Sequence, residues 1–108
     1  MAREVTQEAF AAAWADGALV VDVREADEYA AGHVPGARPM ALRTVPTRSG
    51  ELPHGRPVFV ICASGNRSRA AADWLNSRGL DAYSVIGGTG AWARAGRPVA
   101  TGAHEHAA

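Results

Sequence analysis

The sequence predicts an α/β domain in three layers, a central and mostly parallel sheet with helices on both faces. Three observations carry this. The runs at 19–23 (LVVDV) and 58–61 (VFVI) are apolar on both faces apart from Asp22, as in strands buried inside a parallel sheet. A further strand pattern follows at 82–86. Helical spacing fills the segments between strands, and strands separated by helices call for right-handed crossovers that cover the sheet with helices.

In chain order, Thr6 is a helix N-cap, Gln7 and Glu8 occupy the first turn, Phe10 and Trp14 lie one turn apart, and Gly17 is the stop. After the 19–23 strand, Glu25, Asp27 and Glu28 put negative charge in the first turn of a short helix ending at Gly32, where the macrodipole favours it. A turn, GHVPGA, follows at 32–37. Residues 37–40 read as a brief strand, 42–48 as a segment interrupted by Pro46, and 49–57 as loop. The clearest unit is strand 58–61, a small-residue loop at 62–67, and a helix at 68–78 ending at Gly79. Ala71, Trp74, Leu75 and Arg78 share one face of that helix, so Trp74 reads as a packing anchor against the sheet. Beyond Gly87 and Gly88 a short helix carries Trp92. One domain over 6–99 results, with an N-terminal extension at 1–5 and a disordered tail at 100–108.

Composition narrows the function. A chain of 108 residues suits one core. Eleven basic residues, all Arg, balance eleven acidic ones, so the net charge of zero offers no footprint for nucleic acid or an anionic membrane. Leu, Ile, Val and Phe number only 19, and 24 Ala make up the deficit with side chains that let helices approach a sheet closely. The single Cys forms no internal disulfide, which leaves its thiol free. No signal-peptide core or membrane-length apolar run is visible, so the cytoplasm is the expected compartment. His104 and His106 read as a solvated tail, and no metal site is expected.

The loop CASGNRS at 62–68 carries the chemistry. Cys62 ends a strand at the edge where ligands of parallel sheets bind. The backbone N–H groups from Ala63, Ser64, Gly65, Asn66, Arg67 and Ser68 can curl toward the sulfur, Gly65 permits the sharp turn, and a helix N-terminus lies behind. Arg67 adds a full positive charge. A free thiol with pKa near 8.5 is less than about a tenth ionised at neutral pH, and such surroundings favour the nucleophilic thiolate.

Four motifs in order, VDVRE at 21–25, GHVPGA at 32–37, CASGNRS at 62–68 and GGTGAW at 87–92, make the chain resemble a single-domain rhodanese, a sulfurtransferase of the thiosulfate sulfurtransferase type. The resemblance spans about 6–99 and implies the rhodanese-like three-layer sandwich. It further implies that Cys62 attacks a sulfane sulfur and holds it as a persulfide until a thiophilic acceptor removes it. The donor would be thiosulfate or a persulfide, and the acceptor cyanide, a thiol or a sulfur-relay protein, with no metal or organic cofactor. Arg67 matches the basic residue that closes the family's loop, where it orients an anionic donor or braces the loop through a carboxylate. Asp22 and Arg24 match a DxR element with an expected structural function near the loop. An acid inside an apolar strand needs partners in any case. His33 matches a turn position and is expected to brace it.

Two alternatives stand beside this reading. One is a sulfur carrier or interaction module with little turnover of its own. The other is a phosphatase or arsenate reductase, disfavoured because only four residues separate Cys62 from Arg67, one fewer than the phosphate-seating loop of cysteine phosphatases, and because no second Cys is present to resolve a disulfide. One departure from the family pattern bears on substrate. Ala63 stands where members that handle thiosulfate often carry Arg, so a doubly charged donor is expected to bind less well than a persulfide. Ala63→Arg should therefore lower the KM for thiosulfate in steady-state assays, and an unchanged KM contradicts the argument.

Overall fold

The structure, a computed structural model, describes residues 3–103. A five-stranded sheet, β1 (Glu4–Val5), β2 (Leu19–Asp22), β3 (Arg38–Pro39), β4 (Pro57–Ile61) and β5 (Asp81–Val85), runs in the order β1-β5-β4-β2-β3. Every pairing is parallel. The helices are α1 (Gln7–Ala15), α2 (Ala26–Ala31), α3 (Val45–Arg48), α4 (Asn66–Ser77) and α5 (Gly88–Arg94).

Strand alternation divides the core in two. Val21, Val23, Val58, Val60 and Ala82 face one side, where Val45 of α3 and Ala71, Ala72 and Leu75 of α4 pack on them. Val20, Phe59, Ile61 and Val85 face the other, covered by Phe10 of α1, Tyr29 of α2 and Trp92 of α5. Alanines on α4 allow it to lie close over β4 and β5. On the second face the aromatic rings supply the volume: Phe10 lies 5.6 Å from Phe59 and 5.3 Å from Trp92, tilted in both contacts.

The topology fixes where a ligand can enter. From β2 the chain crosses to β3 on one side, and from β4 it crosses to β5 on the other, so the strand order reverses between β2 and β4. A crevice opens beyond the carboxyl ends of strands at such a switch point. Asp22 and Ile61 pair at the ends of these two strands, which brings the Asp22 to Arg24 segment and the Cys62 loop side by side.

Several boundaries differ from the sequence reading. Within the extension at 1–5, Glu4–Val5 form an edge strand whose Glu4 and Val5 pair with Ser84 and Val85. Two residues are too short a run to show a strand pattern. Pro46 does not interrupt its segment but sits in the first turn of α3, where a missing N–H costs no hydrogen bond. The helix expected at 68–78 begins two residues earlier, at Asn66, because Gly65 takes the left-handed conformation (φ 116°) and acts as its N-cap. Trp74 is half-buried at the margin of the core, with the Arg78 guanidinium 4.6 Å above its ring, while Ala71, Ala72 and Leu75 make the close contact with the sheet. At the start of the expected disordered tail, Ala100 exchanges two backbone hydrogen bonds of 2.9 Å with His33, and the Gly102 N–H donates to the Ala30 carbonyl at 2.9 Å. His104 and His106 lie outside the described residues. Among the described residues no helix is long and apolar enough to cross a membrane, and no group of three or more His, Cys, Asp or Glu is arranged to hold a metal ion.

Candidate active site

Cys62 follows β4 directly and is 1 % exposed. Its Sγ accepts the backbone N–H of Gly65 at 3.1 Å and of Ser68 at 3.3 Å, and lies 3.4 Å from the Ser68 hydroxyl. The sulfur therefore occupies the N-terminus of the twelve-residue helix α4, where unpaired amides and the macrodipole favour negative charge. Burial pushes the Cys62 thiol up, but the Ser68 hydroxyl and the backbone of Ser68, Gly65 and Ser64 outweigh it, and the net shift is downward. The arrangement suits a thiolate, and by extension any anion seated on the same donors.

The loop's carbonyls are held on the outside of this cradle. The N–H of Thr89 donates to the Cys62 carbonyl at 2.8 Å and that of Gly90 to the Ala63 carbonyl at 3.0 Å, so the first turn of α5 clamps the loop. Gly88 makes this approach feasible. Its φ is 58°, and a Cβ there would stand 2.4 Å from the Cys62 carbonyl oxygen and 2.7 Å from the Ala63 carbonyl carbon. Gly88 of GGTGAW thus makes room for the backbone contact between α5 and the loop.

Arg67 points to a carboxylate. Its guanidinium donates in fork geometry to both oxygens of Glu28, at 2.7 and 2.8 Å. Glu28 also accepts the Glu25 N–H at 3.0 Å at the head of α2, so one carboxylate joins that helix to the loop. The Arg67 guanidinium, followed by the Glu25 amide, holds the Glu28 carboxyl down at about 2, and Glu28 in turn raises the Arg67 pKa. Of the two roles expected for Arg67, the geometry displays the brace.

Asp22 is fully buried on the α2 side of β2. Its carboxylate accepts the Arg24 backbone N–H at 3.0 Å and the Arg24 guanidinium at 2.9 to 3.2 Å. Arg24 Nη2 also donates to the Gly32 carbonyl at 2.7 Å, which ties the strand end to the GHVPGA turn. His33 packs in that turn with its ring stacked on Tyr29 at 3.7 Å and its Nδ1 2.7 Å from the Tyr29 carbonyl. Among the described residues, the hydrogen-bond and ring partners of His33 are Tyr29 and Ala100, not the loop. Ala63 and Arg67 are half-buried and Ser64 and Asn66 exposed around the sulfur, whereas Gly65 and Ser68 are buried beneath it.

Sequence reasoning missed three contributors. Glu28 looked like one of several first-turn acids, and nothing local marks it as the partner of a residue 39 positions away. Gly88, Thr89 and Gly90 were visible as a motif, but their hydrogen bonds to the loop were not. Ser84, fully buried on β5, has its hydroxyl 2.7 Å from that of Ser68. A lone hydroxyl in a buried strand was the available signal.

Known proteins agree with this architecture. A family profile described as rhodanese-like domain matches residues 6–95. A rhodanese-related protein from Thermoplasma volcanium is 30% identical, with a TM-score of 0.84 over 90% of this chain and 96% of that one. A rhodanese homolog from Thermus thermophilus is 35% identical, with a TM-score of 0.62 over 80% of this chain and 95% of its own. A rhodanese-like domain protein from Staphylococcus aureus is 28% identical, with a TM-score of 0.78 over 83% and 90% of the two chains.

The Glu28 and Arg67 pair generates a pH prediction. Because the folded pKa of Glu28 lies near 2 and its ordinary value is 4.5, its contribution is complete above about 4.5 and is lost as pH falls toward 2. Glu28→Gln should cost about 1 kcal/mol at pH 7, the scale of a partly exposed ion pair, and should flatten the acid limb of stability in urea titrations. Equal acid limbs in the two proteins contradict the assignment.

Proposed function

This chain belongs to the rhodanese-like domain family, and on that premise we propose that it is a sulfurtransferase whose nucleophile is Cys62. The supporting observation is the convergence of the Gly65 and Ser68 amides on Sγ at the head of α4. With thiosulfate as donor, the Cys62 thiolate attacks the sulfane sulfur, a new S–S bond forms, and the bond to the sulfonate sulfur breaks as sulfite leaves with its electron pair. Cys62 then carries a persulfide anion. The acceptor attacks the terminal sulfur, cyanide leaving as thiocyanate and a thiolate as its persulfide, and the Cys62 thiolate returns. Preoriented amides aimed at the sulfur supply charge stabilisation without reorganisation during either step. No step calls for a metal or an organic cofactor.

Two observations favour a persulfide over thiosulfate as the donor. Ala63 brings no cation, and Arg67 is committed to Glu28. The same observations fit a carrier module, in which a partner protein's persulfide loads Cys62 and a second partner unloads it.

Mass spectrometry after incubation with thiosulfate, followed by cyanide and detection of thiocyanate, tests the proposal with Cys62→Ser as control. The expected result is a gain of one sulfur on the parent only and repeated thiocyanate release. Loading by an organic persulfide with repeated thiocyanate release also supports the sulfurtransferase, loading without repeated release selects the carrier reading, and no loading by either donor overturns both.

A further inference from the structure

We propose that Ser84 is a positioning residue for the Cys62 thiolate, acting through the hydroxyl of Ser68. The proposal deepens the reading of Cys62 as nucleophile and rests on it.

Ser84 lies near the end of β5, between Val60 of β4 and Glu4 of β1, and none of its surface is exposed. It shares with Ala82 the face of the strand that α4 covers. A hydroxyl in that place has to spend its proton within the protein. Its hydrogen-bond partner among the described residues is the Ser68 Oγ at 2.7 Å. The Ser68 Oγ, itself buried, lies 3.1 Å from the Gly65 carbonyl oxygen and 3.4 Å from Cys62 Sγ.

Counting protons orders the chain. The two hydroxyls hold one proton each, and the Gly65 carbonyl and the thiolate only accept. If Ser68 donated to Ser84, the Ser84 proton would have no acceptor among the described residues, and the sulfur would lose its hydroxyl donor. If Ser84 donates to Ser68, every proton is used. The Ser68 proton then goes to the Gly65 carbonyl while Cys62 is a thiol, whose S–H donates to Ser68, and swings to the sulfur once Cys62 ionises. Donation from Ser84 also polarises the Ser68 hydroxyl and strengthens its bond to the anion. Ser84 therefore sets the direction of a hydroxyl relay without touching the sulfur.

The charged groups near the sulfur stay the same when either hydroxyl is removed. They are Arg67 of α4 with Glu28 of α2 on it, and Asp22 and Arg24 at the end of β2. Glu4 on β1 pairs with Ser84 in register, and its side chain is exposed.

The test is the pH dependence of Cys62 alkylation by iodoacetamide in the full chain, followed by intact mass. Ser84→Ala should raise the midpoint by about half a unit, which is roughly threefold less thiolate at any pH well below it. Ser68→Ala should raise it at least as far, and the double variant should match Ser68→Ala alone, since the Ser84 effect passes through Ser68. A Ser84→Ala midpoint equal to the parent's, or a Ser84→Ala shift that persists in full in the Ser68→Ala background, overturns the proposal. Alkylation needs only the thiolate, so these results are independent of whether the protein transfers sulfur.

Discussion

The inward turn of the amides between Cys62 and Ser68 is the constraint on which the rest of the site depends. Backbone N–H groups reach the sulfur only if the chain reverses within three residues and enters a helix at once, and Gly65 in the left-handed region does both. Once the amides face inward, the carbonyls of Cys62 and Ala63 have to face outward and need donors. The first turn of α5 supplies them from Thr89 and Gly90, and a side chain at position 88 would prevent it. A loop motif and a glycine-rich motif separated by the whole of α4 and β5 are thus two halves of one hydrogen-bonding requirement.

Charge is distributed around this cradle rather than placed in it. Arg67 and Arg24 both lie near the sulfur, yet each forks onto a carboxylate, Glu28 in one case and Asp22 in the other. The pairs connect α2, the end of β2 and the loop, so they hold the walls of the crevice at the switch point between β2 and β4. What stabilises negative sulfur is therefore mainly uncharged: amides, a helix terminus and a hydroxyl. Such donors are weaker than a guanidinium for a doubly charged ligand and suit a singly charged sulfur, which is the physical basis of the proposed persulfide donor.

Legibility in the sequence followed the range of the interactions. The buried strands, α1 with its Thr6 cap, and the Cys62 loop were readable because their patterns are local: β-branched runs, a capping residue, a thiol among small residues before a helix. The edge strand at Glu4 and Val5 was not, since it exists only through pairing with β5. Pro46 read as a break because a proline inside a helix and one in its first turn look alike until the helix start is known. Within the site, Cys62 and its flanking residues stood out, while the Glu28 partner of Arg67 and the Ser84 partner of Ser68 are long-range pairs with no local mark. Asp22 stood out as an acid in an apolar strand, and the structure shows how its buried charge is met, by the side chain and backbone of Arg24 two residues on.

Uncharged donors, the Gly65 and Ser68 amides and the Ser68 hydroxyl, favour the thiolate of Cys62 over its thiol. Titration of the thiolate by its ultraviolet absorbance, as the difference between the parent and Cys62→Ser, measures this directly. The expected midpoint lies below that of an unperturbed thiol, despite near-complete burial. A midpoint at or above that value would mean that burial outweighs the amides and the hydroxyl, and would contradict this reading of the site.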